Sequence, residues 1–361
     1  MALFKNNVLG FIPQEDWLTV GFDVTRPTDP IDGLFGDERT DNLVAYWQSI
    51  AAEYQIPVMA QFHGFDTEAQ KTFRVPVDTH NIEKGLIKVK MNESERLREL
   101  TRSGVKGDQA IYDYVMNDGL RLADQVVTRT KVAKNELLAT GKVTIKENDL
   151  DLTVDYGVPN ANLALTLDFG AGATTDIPTQ LQTIVDNAAN AGITITGMVL
   201  PRAVLTKFRG NLAIQKAING AIGAEALVRR TALDAYLSEE FGINTVITND
   251  LTYATPNGFD ANGRPQVVQH RYFPYNKVTF FGTNAGGRIG TGLWGDPPEL
   301  EAANGFSGGV AASSASPFVY ISQWVETDPA VLWTKASALF MPVLYNPEAL
   351  FVASVTETPG S

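Results

Sequence analysis

One long amphipathic helix, predicted near the middle of the chain, constrains the fold more than any other feature. Asp108 is a suitable N-cap, and Gly141 stands where a helix-ending C′ glycine belongs. Between them, apolar residues recur at helical spacing: Ile111, Val115, Leu122, Val126, Ala133 and Leu137. At 1.5 Å per residue, a helix over residues 108–140 is a rod of roughly 50 Å, and the fold has to accommodate it.

A turn-like triplet, Asn117-Asp118-Gly119, interrupts this helical pattern. A glycine inside a helix costs about 1 kcal/mol relative to alanine. Two interpretations remain open: two helices meet at the triplet, or one helix carries a weak point there. Gly119 is therefore the candidate position for a bend in the helix.

Composition and charge exclude several classes of protein. The 361 residues are 44% hydrophobic and 19% charged, enough for a sizeable core and about two domains. Without cysteine, the chain has no disulfides, thiolate zinc sites or cysteine nucleophiles. A net charge of −12 argues against tight binding of duplex DNA, so contact with DNA would be non-specific. No signal peptide or membrane-spanning run is found, so we expect a cytoplasm-like compartment and no membrane partner.

The segment 96–146 is basic within this acidic chain. It holds ten Lys/Arg against six Asp/Glu, a net charge of +4, so the remainder carries −16. Two interpretations are equally open: an ordinary solvated helix, or a rod that docks on acidic neighbouring copies.

The first 90 residues predict segments that extend away from a globular body. Residues 1–56 combine turn signals with too many apolar residues for a disordered tail, so we expect an arm that packs on a neighbouring subunit or on its own core. Residues 40–54 are predicted as a short helix, and residues 57–90 as a long β-hairpin with a polar tip. Four aromatic residues are candidates for contacts between subunits: Trp17, Phe62, Phe65 and Phe73.

The rest of the chain predicts a hairpin, a mixed unit and closing strands. The hairpin pairs residues 142–146 with 150–156, and its acidic face is interpreted as solvated. The mixed unit has helices at 177–191, after Pro201 and at 224–241, with strands at 193–200, 244–252, 266–272 and 277–281. Residues 283–317 are interpreted as a Gly/Ser/Ala-rich loop, followed by strands at 318–324, 331–344 and 350–355.

Two motifs that suggest an enzyme lack the context their chemistry needs. The glycines of Gly290-Thr291-Gly292-Leu293-Trp294-Gly295 match a dinucleotide-binding pattern, but Asp296-Pro297-Pro298 follows where a helix must open. Gly305-Phe306-Ser307-Gly308-Gly309 matches a nucleophile elbow, but the triad order needs a later histidine, and His270 is the last one. The first motif is interpreted as a glycine-rich loop, and the second is rejected.

The three histidines have no spacing typical of metal ligands. We interpret His63 as a loop-tip residue, His80 as a turn residue and His270 as an outward-facing strand residue. We therefore expect no catalytic residue, no cofactor and no metal site. A pair of carboxylates for acid–base chemistry stays possible among the 41 acidic residues, although none stands out.

The order of elements resembles the major capsid proteins of tailed bacteriophages, specifically the lambda-like capsid protein E family. Three parts of the sequence carry the resemblance, over about the last two thirds of the chain. They are Leu137-Leu138-Ala139-Thr140-Gly141-Lys142 leading into Val154-Asp155-Tyr156-Gly157; residues 177–211 with Pro201 and Phe208; and the tail with Asp328-Pro329-Ala330, Pro342, Asn346-Pro347 and residues 350–355.

The resemblance implies an α+β fold of the Hong Kong 97 type. Its parts would be an N-terminal arm (1–56), an extended loop (57–90), a peripheral domain with the long helix as its spine (91–175), an axial domain (176–317) and closing strands (318–361). The function implied is that of a major head protein, not an enzyme, whose hexamers and pentamers form an icosahedral shell around the phage double-stranded DNA. The shell would assemble in the host cytoplasm and become the virion capsid.

The resemblance also implies partners and leaves alternatives. A decoration protein, a scaffold and a portal are possible partners, and no crosslinking residue can be transferred to this sequence. One alternative is a bacterial nanocompartment shell protein of the same fold. The other is a soluble acidic enzyme, which predicts a deep pocket with converging titratable groups.

Overall fold

A computed structural model describes the chain over residues 28–49, 59–60, 74–93, 107–147, 150–170, 175–220, 226–259, 265–283, 286–299, 311–316, 318–328 and 330–356. Within these residues the α-helices are α1 Gly107–Thr140, α2 Asn160–Leu163, α3 Ile177–Asn190, α4 Arg202–Gly210, α5 Leu212–Asn219 and α6 Arg230–Phe241. The early strands are β1 Phe35–Arg39, β2 Val44–Ser49, β3 Asp78–Glu83, β4 Gly85–Glu93, β5 Lys142–Glu147, β6 Leu150–Asp155, β7 Leu165–Asp168, β8 Gly197–Leu200 and β9 Thr245–Thr248. The later strands are β10 Thr252–Phe259, β11 Pro265–Arg271, β12 Lys277–Phe281, β13 Gly290–Gly295, β14 Ala311–Ser316, β15 Val319–Thr327, β16 Ala330–Leu344 and β17 Leu350–Thr356.

The predicted rod is one continuous helix, α1, and the triplet at 117–119 does not divide it. The helix ends as predicted, because Gly141 takes a φ of +70° and its amide donates to the Leu137 carbonyl at 2.8 Å. Two side chains of β12 donate to the last carbonyls of the helix, which have no partner within the helix. Lys277 Nζ reaches Ala139 O at 2.7 Å, and Thr279 Oγ1 reaches Leu138 O at 2.8 Å.

The largest sheet is built around the 15-residue strand β16 and packs against α1. β4 pairs along residues 332–340 of β16, while β15 pairs with 330–337 and β13 with 339–344. Some residues of β16 that pair with β4 also pair with β15, and others also pair with β13. β4 therefore lies along one edge of β16, and β15 and β13 both lie along the other. β1 then adds to β13 in parallel, and β14 adds to β15. The buried faces of this sheet and α1 form the first hydrophobic core.

A second sheet, ordered β7-β17-β12-β8-β9, separates the first core from a second one. In β17, Phe351 and Ala353 belong to the second core, whereas Leu350 and Val352 face the first. This alternation follows from the two-residue period of a strand, which sends successive side chains to opposite faces. Helices α3 to α6 contribute the rest of the second core.

The prediction of a helix over residues 40–54 is wrong, because residues 44–49 form β2 and pair with β3 in an antiparallel sheet. Alternation explains the error: Trp47 is half-buried and Tyr46 is exposed, although their spacing from Leu43 also fits a helix. His80 is not a turn residue, because it lies in β3 opposite Trp47, and the two rings stack at 5.1 Å. His270 is an exposed strand residue, as predicted.

The predicted loop over residues 283–317 contains two strands, β13 and β14, so that interpretation is also wrong. Every residue of β13 is buried between β1 and β16. Its glycines make this position possible: a Cβ at Gly290 would collide with the Val343 carbonyl oxygen, and one at Gly292 would lie 2.8 Å from a ring carbon of Phe340. The motif at 305–309 and His63 lie outside the described residues.

Candidate assembly site

Residues 28–40 run through the body of their own chain. Ile31, Leu34 and Phe35 are buried in the first core, and β1 pairs with β13 at the edge of the largest sheet. This part of the predicted arm therefore packs on its own core. Residues 1–27 lie outside the described part of the chain.

A buried polar triad joins this N-terminal segment to α1 and to the second sheet. Asp29, Asn135 and Asn249 are all almost completely buried. Asn135 Nδ2 donates to Asp29 Oδ2 at 2.8 Å, and Asn249 Nδ2 donates to Asp29 Oδ1 at 3.1 Å and to Asn135 Oδ1 at 2.9 Å. The Ile31 amide also donates to Asp29 Oδ1, at 3.1 Å.

The electrostatics of the triad follow from its burial. Burial raises the pKa of Asp29, while the hydrogen bonds from Ile31 and Asn135 act in the opposite direction. The polar groups of a buried network stabilise one arrangement only when each finds its partner, so the triad specifies how the three segments meet. Sequence reasoning missed it, because Asp29 and Asn249 are 220 residues apart.

Two buried lysines fasten the N-terminal segment at further points. Lys134 of α1 donates to Asp37 Oδ1 at 3.0 Å, and Trp294 Nε1 donates to the same oxygen at 2.9 Å. Lys84 donates to the carbonyls of Thr40 at 2.7 Å and Trp294 at 3.1 Å. Burial lowers the pKa of Lys84, since its nearest acceptors are neutral.

These contacts change the interpretation of the basic segment. Lys131 and Lys134 are both buried, and both face acidic groups of the same chain, with Asp32 within 4 Å of each. Part of the positive charge of α1 is therefore neutralised by the chain's own N-terminal segment. At these two residues, neither of the two interpretations of the basic segment applies: the lysines are not solvated, and they contact their own chain instead of neighbouring copies.

A carboxylate between two lysines lies on the sheet face turned away from α1. Glu299 Oε1 is 2.9 Å from both Lys88 of β4 and Lys335 of β16. Burial alone would raise the pKa of Glu299, but the hydrogen bonds from the two lysines outweigh it and lower the pKa to about 2. The same face carries Lys90 over the Trp333 ring at 4.3 Å.

Exposed apolar side chains concentrate on hairpins and their flanks. One group surrounds β2, β3 and β4, a second lies on the hairpin β5–β6, and a third lies on the hairpin β10–β11. The members are Leu43, Tyr46, Val75, Val77 and Leu86; then Leu150 and Leu152; then Val267 and Val268. Groups of exposed apolar residues mark interaction surfaces more often than isolated ones do.

The residues predicted to contact other subunits, Trp17, Phe62, Phe65 and Phe73, lie outside the described part of the chain. Gly119 lies inside α1 and is buried. The structure therefore leaves the four aromatic candidates as predictions and locates the fifth candidate within an unbroken helix.

Two clefts among the described residues contain no converging acid–base pair. One, of about 500 Å³, is lined by uncharged residues that include Thr196, Asn244 and Phe281. Another, of about 450 Å³, has Arg288 and Tyr345 as its titratable side chains. Within the described residues, no three His, Asp or Glu side chains are grouped closely enough to hold a metal ion. No described helix is long and apolar enough to cross a membrane.

Comparison with protein families gives one match over most of the sequence. The family described as Phage major capsid protein E matches residues 66–355. No curated protein matches the sequence.

Solved phage proteins share the fold. The protein described as a prophage capsid protein of Escherichia coli CFT073 has a TM-score of 0.52 at 13% identity, covering 94% of this chain and 97% of that one. A phage-related protein from Bordetella bronchiseptica RB50 has a TM-score of 0.51 at 11% identity, covering 94% and 95%. A protein of Mycobacterium phage Adephagia has a TM-score of 0.50 at 10% identity, covering 94% of each chain. At these identities the similarity is one of fold.

Proposed function

The chain belongs to the phage major capsid protein E family, and from this we propose that its copies form the hexamers and pentamers of an icosahedral shell around double-stranded DNA. The predicted family and the predicted α+β capsid fold are both confirmed. The chain is therefore a major capsid shell protein. The observation that carries the proposal is the family match over residues 66–355.

The division into domains remains part of the proposal. Two hydrophobic cores support a peripheral unit around α1 and an axial unit around α3 to α6. The proposed axial range of 176–317 needs one adjustment at its end, because β13 and β14 pair within the sheet that packs on α1. The N-terminal arm and the closing strands keep their proposed ranges of 1–56 and 318–361. The extended loop, proposed as a hairpin over 57–90, also needs an adjustment at its end, because β3 pairs with β2 while β4 pairs with β16 in the sheet that packs on α1.

We also propose that the shell contacts its DNA only non-specifically and catalyses no reaction. The net charge of −12 supports the first statement, because a strongly acidic surface repels phosphate. The family supports the second, since its function is structural. Assembly in the host cytoplasm, and partnership with a decoration protein, a scaffold and a portal, belong to the same proposal.

Electron microscopy tests the proposal. The chain is expressed alone and together with the other head proteins of its phage, and the purified material is imaged. We expect closed particles or hexamer-sized species. A monomer that persists at every concentration, even beside those partners, contradicts the proposal.

We further propose that α1 bends at Gly119 in an immature form of the shell. A buried mid-helix glycine supports this, because it weakens the helix by about 1 kcal/mol relative to alanine. Gly119→Ala is then expected to alter shell expansion more than subunit stability. Gln125→Ala, on the exposed side of the same helix, serves as the control. If Gly119→Ala shells expand at the same rate as Gln125→Ala shells, the proposed bend at Gly119 is contradicted.

The four aromatic residues Trp17, Phe62, Phe65 and Phe73 stay proposed contacts between subunits. Their support is the apolar sequence around them, which a lone arm or loop could not bury. Alanine substitution of each is expected to weaken assembly while the isolated subunit keeps its melting temperature. Equal melting temperatures with undiminished assembly contradict the assignment.

A further inference from the structure

The hairpin β10–β11 is a two-stranded sheet to which no third described strand pairs. Val267 is 66% exposed and Val268 is 41% exposed, and because they are consecutive they lie on opposite faces. An isolated two-stranded hairpin is marginally stable in water. A structure of this kind is expected to gain stability from a further partner.

The base of the hairpin is nevertheless firmly held. Asp250 accepts hydrogen bonds from Arg271 Nη1 at 3.4 Å and from the Arg202 amide at 3.1 Å. The hairpin therefore projects from a fixed base in a defined direction.

Hydrogen-bond alternation shows which backbone groups face outward. The Tyr272 amide donates to the Leu251 carbonyl at 3.0 Å, so Leu251 and Tyr272 form a hydrogen-bonded pair. In an antiparallel ladder such pairs alternate with non-bonded ones, whose N–H and C=O groups point away from the partner strand. By the register, the next non-bonded pairs are Thr252 with Arg271, Ala254 with Gln269, and Pro256 with Val267.

The two outer edges of the hairpin differ. On β10, Pro256 occupies an outward position without an N–H, and an irregularity with Gly258 at a φ of +75° follows it. Proline and bulges are devices that block strand addition at an edge. On β11, the outward groups of Val267, Gln269 and Arg271 form an uninterrupted row that ends at Pro265. The β11 edge therefore offers the longer open row, with three outward N–H groups against the two of Thr252 and Ala254 on β10.

The chemistry of this edge suits a second copy of the same chain. Residues 251–259 and 265–270 contain no Asp, Glu, Lys or Arg, and the charge of Arg271 is matched by Asp250 at 3.4 Å, although the chain as a whole carries a net charge of −12. An edge without net charge lets two acidic copies approach each other without repulsion between like charges at the contact. A shell built from many copies also brings such copies together, so this step rests on the proposed function.

We propose that the open edge of β11 pairs with a strand of a neighbouring copy and so forms an interface between shell subunits. Backbone hydrogen bonds of Val267, Gln269 and Arg271 supply the pairing, and the exposed Val267 and Val268 side chains add apolar contact. The interface is additional to those predicted for the N-terminal arm and the extended loop.

The register provides a matched set of variants. Gln269 and Ala254 lie directly opposite each other as a non-bonded pair, so proline at either position spares the backbone hydrogen bonds between the two strands. Gln269→Pro removes an outward N–H from the open edge, whereas Ala254→Pro changes the edge that Pro256 already blocks. Gln269→Ala removes the side-chain bond to Thr252 Oγ1 but keeps the backbone N–H.

Assembly and amide exchange test the proposal together. We expect Gln269→Pro to raise the subunit concentration needed for assembly by about tenfold or more, while Ala254→Pro and Gln269→Ala assemble like the unmodified chain. Circular dichroism checks that all three subunits keep their fold. The unmodified chain is also assembled into shells without any other protein. In these shells, peptides covering residues 266–271 are expected to exchange their amide hydrogens more slowly than in free subunits.

The outcomes separate this proposal from the proposed function. If the unmodified chain forms no particles under any condition, the proposed function fails first. If it forms particles, equal exchange of residues 266–271 in shells and free subunits overturns the interface and leaves the function intact. Protection that appears only after a different protein is added also overturns it, because the occupant is then not a second copy.

Discussion

Replacing Asn249 by alanine tests whether the buried triad joins the N-terminal segment to the rest of the subunit. The Asn249 side chain donates to Asp29 and Asn135, and its Oδ1 accepts from the Leu251 amide at 3.1 Å. Alanine removes all three hydrogen bonds at once. It also leaves the Asn135 Oδ1 buried without the donor it has in the native chain.

The magnitude follows from the number and kind of these bonds. Three neutral hydrogen bonds of about 1 kcal/mol each give a loss of about 3 kcal/mol in the free energy of unfolding. If Asp29 is ionised, its bond contributes about 1.5–3 kcal/mol, and the total loss approaches 5 kcal/mol. The triad lies on three separate segments, so the loss should also loosen residues 28–40 from α1.

Urea unfolding of unassembled subunits measures this loss. Asn244→Ala is the control, since its exposed side chain accepts a bond from Ser238 and its removal should cost less than about 0.5 kcal/mol. Because Asn135 and Asn249 are bonded, the double variant Asn135→Ala/Asn249→Ala should lose less than the sum of the single losses, by at least about 0.5 kcal/mol.

Two results would refute this reasoning. The first is a loss for Asn249→Ala within about 0.5 kcal/mol of the Asn244→Ala control, which would mean that water or relaxation replaces the lost bonds. The second is strict additivity of the Asn135 and Asn249 losses. Either result removes the triad as a cooperative unit.

Two further substitutions test the packing of the largest sheet. The folded-state pKa of Glu299, about 2, lies below its ordinary value of 4.5, so its stabilisation is present above about pH 4.5 and is lost as pH falls toward 2. The melting temperature of Glu299→Gln should therefore fall less over that pH window than that of the unmodified chain. The control Glu239→Gln, at an exposed position, should lose as much as the unmodified chain. Identical acid profiles for Glu299→Gln and the unmodified chain would contradict the assignment. Gly290→Ala should lower the free energy of unfolding by about 1–3 kcal/mol or prevent folding, because the added Cβ meets the Val343 carbonyl oxygen. The control Gly33→Ala has open space around its Cβ, so its free energy of unfolding in urea titrations should stay within about 0.5 kcal/mol of the unmodified chain's. Equal effects of the two substitutions would contradict the close approach at Gly290.

The elements that could be predicted from sequence have strong local signals. Four of the six predicted stripe residues, Leu122, Val126, Ala133 and Leu137, are buried, and Gly141 ends the helix with a positive φ. β12 was predicted at residues 277–281 and lies there. In these segments the apolar period and the cap agree with the tertiary fold, so local reasoning is sufficient.

The elements that escaped prediction depend on partners distant in sequence. The glycines of β13 are typical of a loop, yet they are required because β1 and β16 approach the strand from both sides. β2 has a pattern that also fits a helix, and only its pairing with β3 decides in favour of a strand. Local propensity cannot report such pairings, since strand preference depends on the neighbouring strands.

The candidate assembly site was predictable only in outline. The sequence indicates apolar residues that need partners in the first 90 residues, but Ile31, Leu34 and Phe35 find theirs within the same chain. The buried lysines 84, 131 and 134 give no local sign of burial, because each contacts residues of the N-terminal segment that are distant in sequence. Their contacts indicate that this segment is an integral part of the subunit.

Cryo-electron microscopy of particles assembled from this chain tests the central claim most directly. The account predicts closed icosahedral shells built from hexamers and pentamers of this chain, in which residues 28–40 pack on their own subunit and, once the shell has expanded, α1 is unbroken. Material that stays monomeric, even with the other head proteins of its phage present, would contradict the account.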